Sequence, residues 1–355
     1  MRRCYLHIGT PKTGSTAIQY SIHENAAVLL EQGLLVPTVG CGPQGGHHPL
    51  IKALLGIPVP PRLANSPRQF IEVAERHPNA NVVVSAELLT GNLQSQPAME
   101  AVLSFFRRCG FEVVLLGYFR NQPQHLNSGY SQAVKALQLI GSFDRHANHL
   151  LSSGQLDYAA SADLAAGYGL PLIARPFNAA VKAGGVINDF LRTVGVDLQA
   201  CKLAGERRDN RSLGPCAVAA VLEMVRRAAE RNHAWTHPQR VAGKALINHI
   251  ADEPQFTEKP FCGFDTEGAR GIQSFYRPSN DRFAKAMWGD DWASVFKEDV
   301  EAEFERNVFE PETASPERKD LYSAILERFW SGMQPIMTDP RFQKERPLQV
   351  AERTA

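Results

Sequence analysis

The stretch Gly9-Thr10-Pro11-Lys12-Thr13-Gly14-Ser15-Thr16 constrains this chain more than any other, because of what stands on either side of it. Before it, Cys4 to Ile8 is a short apolar run halted by Gly9 and Pro11, the pattern of a buried strand. After it, Ile18, Ile22, Ala26 and Leu29 recur at helical spacing, with Ser15 or Thr16 placed to cap the helix. A strand that passes through a glycine-bounded loop into a helix aims backbone N–H groups and a helix N-terminus at one point, where an anion is held. Lys12 adds a point charge there, and Thr13, Ser15 and Thr16 add hydroxyl donors. The order of residues departs from two other cradles. In G-x-x-x-x-G-K-[ST] the lysine follows the second glycine, whereas Lys12 precedes Gly14. The G-x-G-x-x-G spacing is also missing, so a nicotinamide cofactor has no support.

Four further apolar runs read as strands: Leu34 to Pro37, Asn81 to Val84, Val113 to Phe119 and Leu170 to Pro176. Helical patterns separate them, near Pro67 to Arg76 and Ala98 to Cys109, and a Gly-, Pro- and His-containing loop runs through Pro49. Continuous apolar strands alternating with helices predict a parallel sheet covered on both faces. The expected fold is therefore α/β: a P-loop-like parallel sheet of about five strands flanked by helices, with a helical C-terminal elaboration. Residues 1–180 form the expected nucleotide-binding core. Residues 181–335 form helices over Val186 to Val194, Pro215 to Glu230, Pro238 to Ile250, Asp281 to Met287 and Pro316 to Met333, which pack on the core and shape an acceptor cleft. Residues 336–355 read as a loosely held tail.

The second motif follows the strand Val113 to Phe119, which delivers Arg120 at its C-terminal end, with Ser128 a loop and a helical turn later. Arginine offers a planar fork matched to phosphate oxygens, and serine adds a neutral donor. Two anion seats, at Lys12 and at Arg120, describe one ligand with charge at both ends. On these residues the chain resembles the sulfotransferases that use 3′-phosphoadenosine 5′-phosphosulfate, of the bacterial carbohydrate type. Pro11-Lys12-Thr13-Gly14-Ser15-Thr16 is similar to their 5′-phosphosulfate loop, and Arg120 with Ser128 to their 3′-phosphate element. Weaker similarity lies in Val82 to Gly91, Ala174 to Leu191, Asp209 to Leu213 and Ser279 to Phe296, so that the resemblance runs from about residue 4 to about residue 296. It implies a nucleotide sulfate donor, a saccharide or glycoconjugate hydroxyl as acceptor, and in-line sulfuryl transfer. Lys12 would neutralise charge on the bridging oxygen. The other readings are a nucleotide-binding protein without turnover and a P-loop kinase or NTPase; the displaced lysine and the lack of a strand-ending aspartate for a metal argue against the latter.

Transfer to a hydroxyl needs a base, and the residues offer His48 and Glu87 on equal terms, with His47 behind them. Arg175, Arg207, Arg208 and Arg211 are candidates for lining the cleft, though solvated surface arginine is the simpler reading. Trp235, Trp288 and Trp292 suit core packing better than sugar stacking. The remaining histidines His125, His146, His149, His233, His237 and His249, and the six cysteines, show no metal-ligand spacing, and the thiols are expected to be reduced. With 38 Lys+Arg against 37 Asp+Glu the net charge is +1, which excludes a broad basic surface for nucleic acid. No apolar stretch reaches the length of a membrane span or follows Arg2 and Arg3 as a leader would. A cytoplasmic enzyme is expected, with peripheral membrane contact left open; the oligomeric state and the acceptor are not legible.

Overall fold

The computed structural model describes residues 1–92, 96–138, 141–200, 203 and 212–343. Five strands form one sheet: β1 (Arg2–Gly9), β2 (Leu34–Leu35), β3 (Asn81–Ser85), β4 (Phe111–Phe119) and β5 (Leu172–Pro176). Their order is β2-β3-β1-β4-β5 and every pairing is parallel, with Cys4 opposite Val82 on one side and Val113 on the other. The alternation of side chains along each strand sends residues to both faces, and both are apolar. Leu6, Ile8, Val84 and Leu115 pack on one face with Phe70, Leu103 and Phe106; Tyr5, Val83, Val114 and Leu116 pack on the other with Ile18, Ile22, Phe190 and Leu191. This is the α/β parallel sheet that the apolar runs predict. β2 stops two residues short of the expected end because Pro37 has no N–H to give a ladder.

Two helices differ from the sequence reading, and proline is the reason in both. The loop expected through Pro49 ends at His47, where the helix His48–Leu54 begins; Pro49 occupies its first turn, where its missing N–H has no intrahelical partner to lose. The helix expected over Asp281 to Met287 is the last part of a longer one, Thr266–Trp288, which continues through Pro278. Side chains just beyond that proline hold it: Ser279 donates to Asp157, while Asn280 and Gln122 exchange amide hydrogen bonds of 2.9 and 2.7 Å. Helices Phe143–Ser152 and Tyr158–Gly167 also lie where the sequence reading placed none. Ser142 and Asp157 cap them.

The chain divides into two compact units that do not follow sequence order. The first holds the sheet and comprises Met1–Gln122, Gln155–Arg208 and Gln273–Glu301, so that residue 180 falls inside it. Its last segment is anchored by Trp288, whose indole donates to the Ala174 carbonyl at 2.8 Å, and by Trp292, which donates to Asn121 Oδ1 at 3.1 Å. The second unit comprises Pro123–Gly154, Asp209–Ile272 and Ala302–Ala355 and is built on helices Pro215–Glu230, His237–Ala251 and Pro316–Thr338. Met224, Val225, Ile247, Ile325 and Phe329 form its buried stripes, and Trp235 is buried as expected for core packing. Thr236 and Gln239 form a capping box, and Glu258 accepts from the Cys216 and Ala217 amides at the first turn of its helix. Among the described residues no helix is long and apolar enough to cross a membrane.

Gly14, just before the helix α1 (Ser15–Glu24), has φ +85°, and a Cβ there would lie 2.8 Å from Val186 Cγ1. A Gly14→Ala substitution is expected to destabilise the chain by at least about 1–2 kcal/mol from left-handed backbone strain alone. Chemical denaturation should show a smaller cost in a Val186→Ala background, where the clash is relieved; an equal cost in both backgrounds would refute the contact.

Candidate functional site

β1 is the central strand, and its onward connection runs toward β2, whereas that of its neighbour β4 runs toward β5. Neighbouring strands with diverging connections leave a crevice at their C-terminal ends, where ligands of open α/β sheets bind. Both sequence motifs end there. The register of β1 on β4 shifts between His7 and Gly9, and Gly9 has φ +99°, which turns the chain out of the sheet. Thr10 then docks on β4 twice: its N–H and its hydroxyl each donate to the Tyr118 carbonyl at 2.9 Å. Thr13 and Ser15 point inward, their hydroxyls donating to the Thr10 carbonyl at 2.6 and 3.1 Å. These two hydroxyls therefore fix the loop's shape, a structural use that the sequence reading did not separate from anion binding. Pro11 and Thr16 are exposed. Lys12 has φ +68°, and among the described residues no side chain caps α1, whose first-turn amides are the donors a helix N-terminus offers an anion.

Arg120 follows β4 directly. Its Nη1 donates to the Lys12 carbonyl at 3.0 Å, its guanidinium lies 5.6 Å from the Phe177 ring centroid, and its own carbonyl accepts from Tyr158 at 2.9 Å. Burial pulls its pKa down while the Asp299 charge pushes it back up. Its Nε is buried and has no hydrogen-bond partner among the described residues. A buried guanidinium N–H without an acceptor costs about 1–3 kcal/mol or more. An anionic oxygen would satisfy it. The uncapped α1, Lys12 and this N–H together fit a ligand with negative charge at more than one position.

The candidate bases separate on geometry. Glu87, two residues beyond β3, packs against the loop: its Cγ is 3.3 Å from where a Cβ on Gly9 would stand. Burial raises its pKa, and a hydrogen bond with Ser15 and the charge of Lys12 draw it back. His47 is fully buried; its Nδ1 accepts from the Ser85 amide at 3.1 Å, so its Nε2 carries the proton and donates to the Pro37 carbonyl at 2.8 Å. With both ring nitrogens used, it is a structural clasp between the two segments. His48 is half-buried beside Gly46, with its pKa lowered by burial and by Lys52.

A buried polar chain that no sequence motif marks lies beneath this corner. His7 Nδ1 lies 2.7 Å from Ser85 Oγ, which also accepts from Gln19 Nε2 at 3.1 Å. A histidine inside the apolar run of β1 was its only sequence signal. Arg175 is not turned to a cleft: it grips Asp189 through Nε at 3.0 Å and Nη2, and Tyr118 donates to the same carboxylate at 2.7 Å. Ser128 is half-buried on the helix Gln122–Lys135 and belongs to the second unit. Arg207, Arg208 and Arg211 lie outside the described residues. Trp288 and Trp292 pack with Phe283 and Phe296. No family model matches the chain, and no curated protein or solved structure is significantly similar to it.

The buried histidines set an acid limit. Burial lowers the pKa of His7 to about 3 and of His47 to about 4, from an ordinary 6.5. The folded chain keeps both neutral, whereas the unfolded chain takes up protons below 6.5, so stability falls as pH drops from about 6.5 toward 4. Each ring contributes a slope of up to about 1.4 kcal/mol per pH unit. Melting temperatures across that window should drop steeply for the natural chain and less steeply for His47→Gln. Identical slopes would show that His47 is protonated in the fold.

Proposed function

We propose that this chain is a sulfotransferase that moves a sulfuryl group from 3′-phosphoadenosine 5′-phosphosulfate to a hydroxyl of a saccharide or glycoconjugate, in the cytoplasm. The observation that carries the reading is the hydrogen bond from Arg120 to the Lys12 carbonyl, because it joins two basic motifs 108 residues apart at neighbouring strand ends. A phosphosulfate loop and a 3′-phosphate arginine need that proximity to share one nucleotide. The donor would be held by the loop Pro11 to Thr16 and by Arg120, and supplies an activated sulfuryl group on a phosphate leaving group. The resemblance also gives Ser128 a part in the 3′-phosphate seat; the loop and Arg120 both belong to the first unit.

The residues divide the work by their surroundings. Lys12 is a cation at the mouth of the loop, suited to neutralising negative charge that develops on the leaving oxygen. Glu87 stands against the same loop with its carboxyl held above its ordinary pKa, which suits it to accept the acceptor's proton. Arg120 orients, its fork already fixed by the Lys12 carbonyl and the Phe177 ring. His48 remains a second candidate for the base, and His47 does not, since neither of its ring nitrogens has a lone pair or proton to spare.

Calorimetry should give binding of adenosine 3′,5′-bisphosphate in the absence of metal and much weaker binding of ATP with magnesium; the reverse order would favour a kinase or NTPase. With labelled donor and a panel of sugar acceptors, Lys12→Ala should lower transfer by about 10²–10³-fold with little change in melting temperature. Glu87→Gln should lower transfer by about 10²–10⁴-fold and raise the melting temperature near neutral pH, because it removes a charge that burial disfavours. For the natural chain, transfer should rise with pH through an apparent pKa above the ordinary 4.5 of glutamate. Unchanged transfer by Glu87→Gln would pass the role of base to His48.

A further inference from the structure

Phe177 closes β5 where its N–H donates to the Phe119 carbonyl at 2.7 Å, and it collects charge around its ring. The Arg120 guanidinium lies 5.6 Å from the ring centroid and the Lys182 ammonium 5.8 Å from it. Lys182 stands on the short helix Ala179–Gly184, whose preceding residue, Asn178, caps it and also donates to the Val295 carbonyl at 2.9 Å. Its Nζ is 2.8 Å from Asp299 Oδ1, in a pair whose side chains are 35% and 10% exposed. The same Asp299 charge acts on Arg120. One carboxylate is therefore shared by two cations, beside the loop whose Lys12 carbonyl Arg120 holds. Among the described residues, Asp299 is the carboxylate that faces both buried Arg120 and partly exposed Lys182, and the two positive charges equal those of a phosphate dianion that would take its place.

We propose that Lys182 is a specificity residue for the second phosphate of the nucleotide, and that Asp299 is an internal counter-ion which screens Lys182 and Arg120 until that phosphate displaces it. The inference rests on the sulfotransferase reading and extends it to residues that neither motif contains. Phe177 supplies an apolar, π-rich surface beside which both cations stand, 5.6 and 5.8 Å from its ring centroid. A carboxylate that competes with the ligand weakens binding of the correct nucleotide, but it also discourages smaller anions, which cannot replace its interactions with both cations.

The test is calorimetric titration of the full chain with adenosine 3′,5′-bisphosphate and, separately, with adenosine 5′-phosphate, for the natural protein and for Lys182→Ala, Lys182→Arg and Asp299→Asn. Loss of one charge-assisted contact corresponds to about tenfold in affinity. Lys182→Ala should lose about that factor toward the bisphosphate and less than about twofold toward the monophosphate, with Lys182→Arg restoring the difference. Asp299→Asn, close in shape, should tighten the bisphosphate several-fold, because the competing charge is gone. A purely structural ion pair would lower the melting temperature of both variants and leave the ratio between the nucleotides untouched, which overturns the proposal. So would weaker bisphosphate binding by Asp299→Asn. Failure of the natural protein to bind either nucleotide would sink the sulfotransferase reading itself, whereas tight bisphosphate binding that Lys182→Ala leaves unchanged would sink this inference alone.

Discussion

The carbonyl of Tyr118 accepts two hydrogen bonds from Thr10, and the placement of every other group in the corner depends on that docking. It pins the loop that leaves the central strand to the end of the neighbouring one, so the loop cannot drift from Arg120 two residues later. The same tyrosine reaches sideways with its hydroxyl to Asp189, which Arg175 grips from β5. Asp189 lies on the helix Val186–Thr193, whose first residue, Val186, packs against Gly14. Strand ends, loop and helix thus form a closed circuit through one side chain and its carbonyl. A rigid frame of this kind is what an anion site needs, since donors gain most when they are oriented before the ligand arrives.

Polar burial in the first unit falls into two classes that bear on function differently. His47, Arg175 with Asp189, and the Gln122–Asn280 pair are satisfied by their neighbours, and they hold segments together. Arg120 and Glu87 are not settled in that way: one has a buried N–H without an acceptor among the described residues, and the other has a carboxyl whose charge burial resists. Groups kept in an unfavourable state by a well-packed surrounding concentrate where ligands or protons are exchanged. The near-neutral total charge of the chain fits this picture, because a few cations gathered at one set of strand ends bind a polyanion without altering the sum.

The strands were legible because each is buried on both faces and so reads as an unbroken apolar run. Their parallel pairing followed from the helical patterns between them. The phosphate loop was legible as a local arrangement of glycine, lysine and hydroxyls between a strand and a helix. What the residues did not reveal was the division of labour among those hydroxyls, since Thr13 and Ser15 turn toward a carbonyl three and five positions away only once the loop closes. The helix at His48 was hidden by Pro49, and the passage of the helix Thr266–Trp288 through Pro278 depends on partners from distant segments. The capped starts at Ser142 and Asp157 carried a signal that local chemistry could have exposed. His47 and Glu87 were indistinguishable as bases because their difference lies in contacts with Pro37, Ser85 and Gly9, none of which a linear pattern encodes.

The return of residues Gln273–Glu301 to the first unit has a physical rationale in the charges it serves. The residues that follow Arg120 are its anchors: Asn121 accepts from Trp292 and donates to the carbonyl of Asp299 itself at 3.3 Å, and Gln122 pairs with Asn280. The segment that delivers the counter-charge is thus registered on the two positions next to the cation it compensates. Were that segment held elsewhere, Arg120 and Lys182 would both stand beside the Phe177 ring without the Asp299 carboxylate, and their like charges would repel. Fold and site therefore share one constraint: the strand end that presents a cation to a ligand must also hold the segment that keeps the cation tolerable without one.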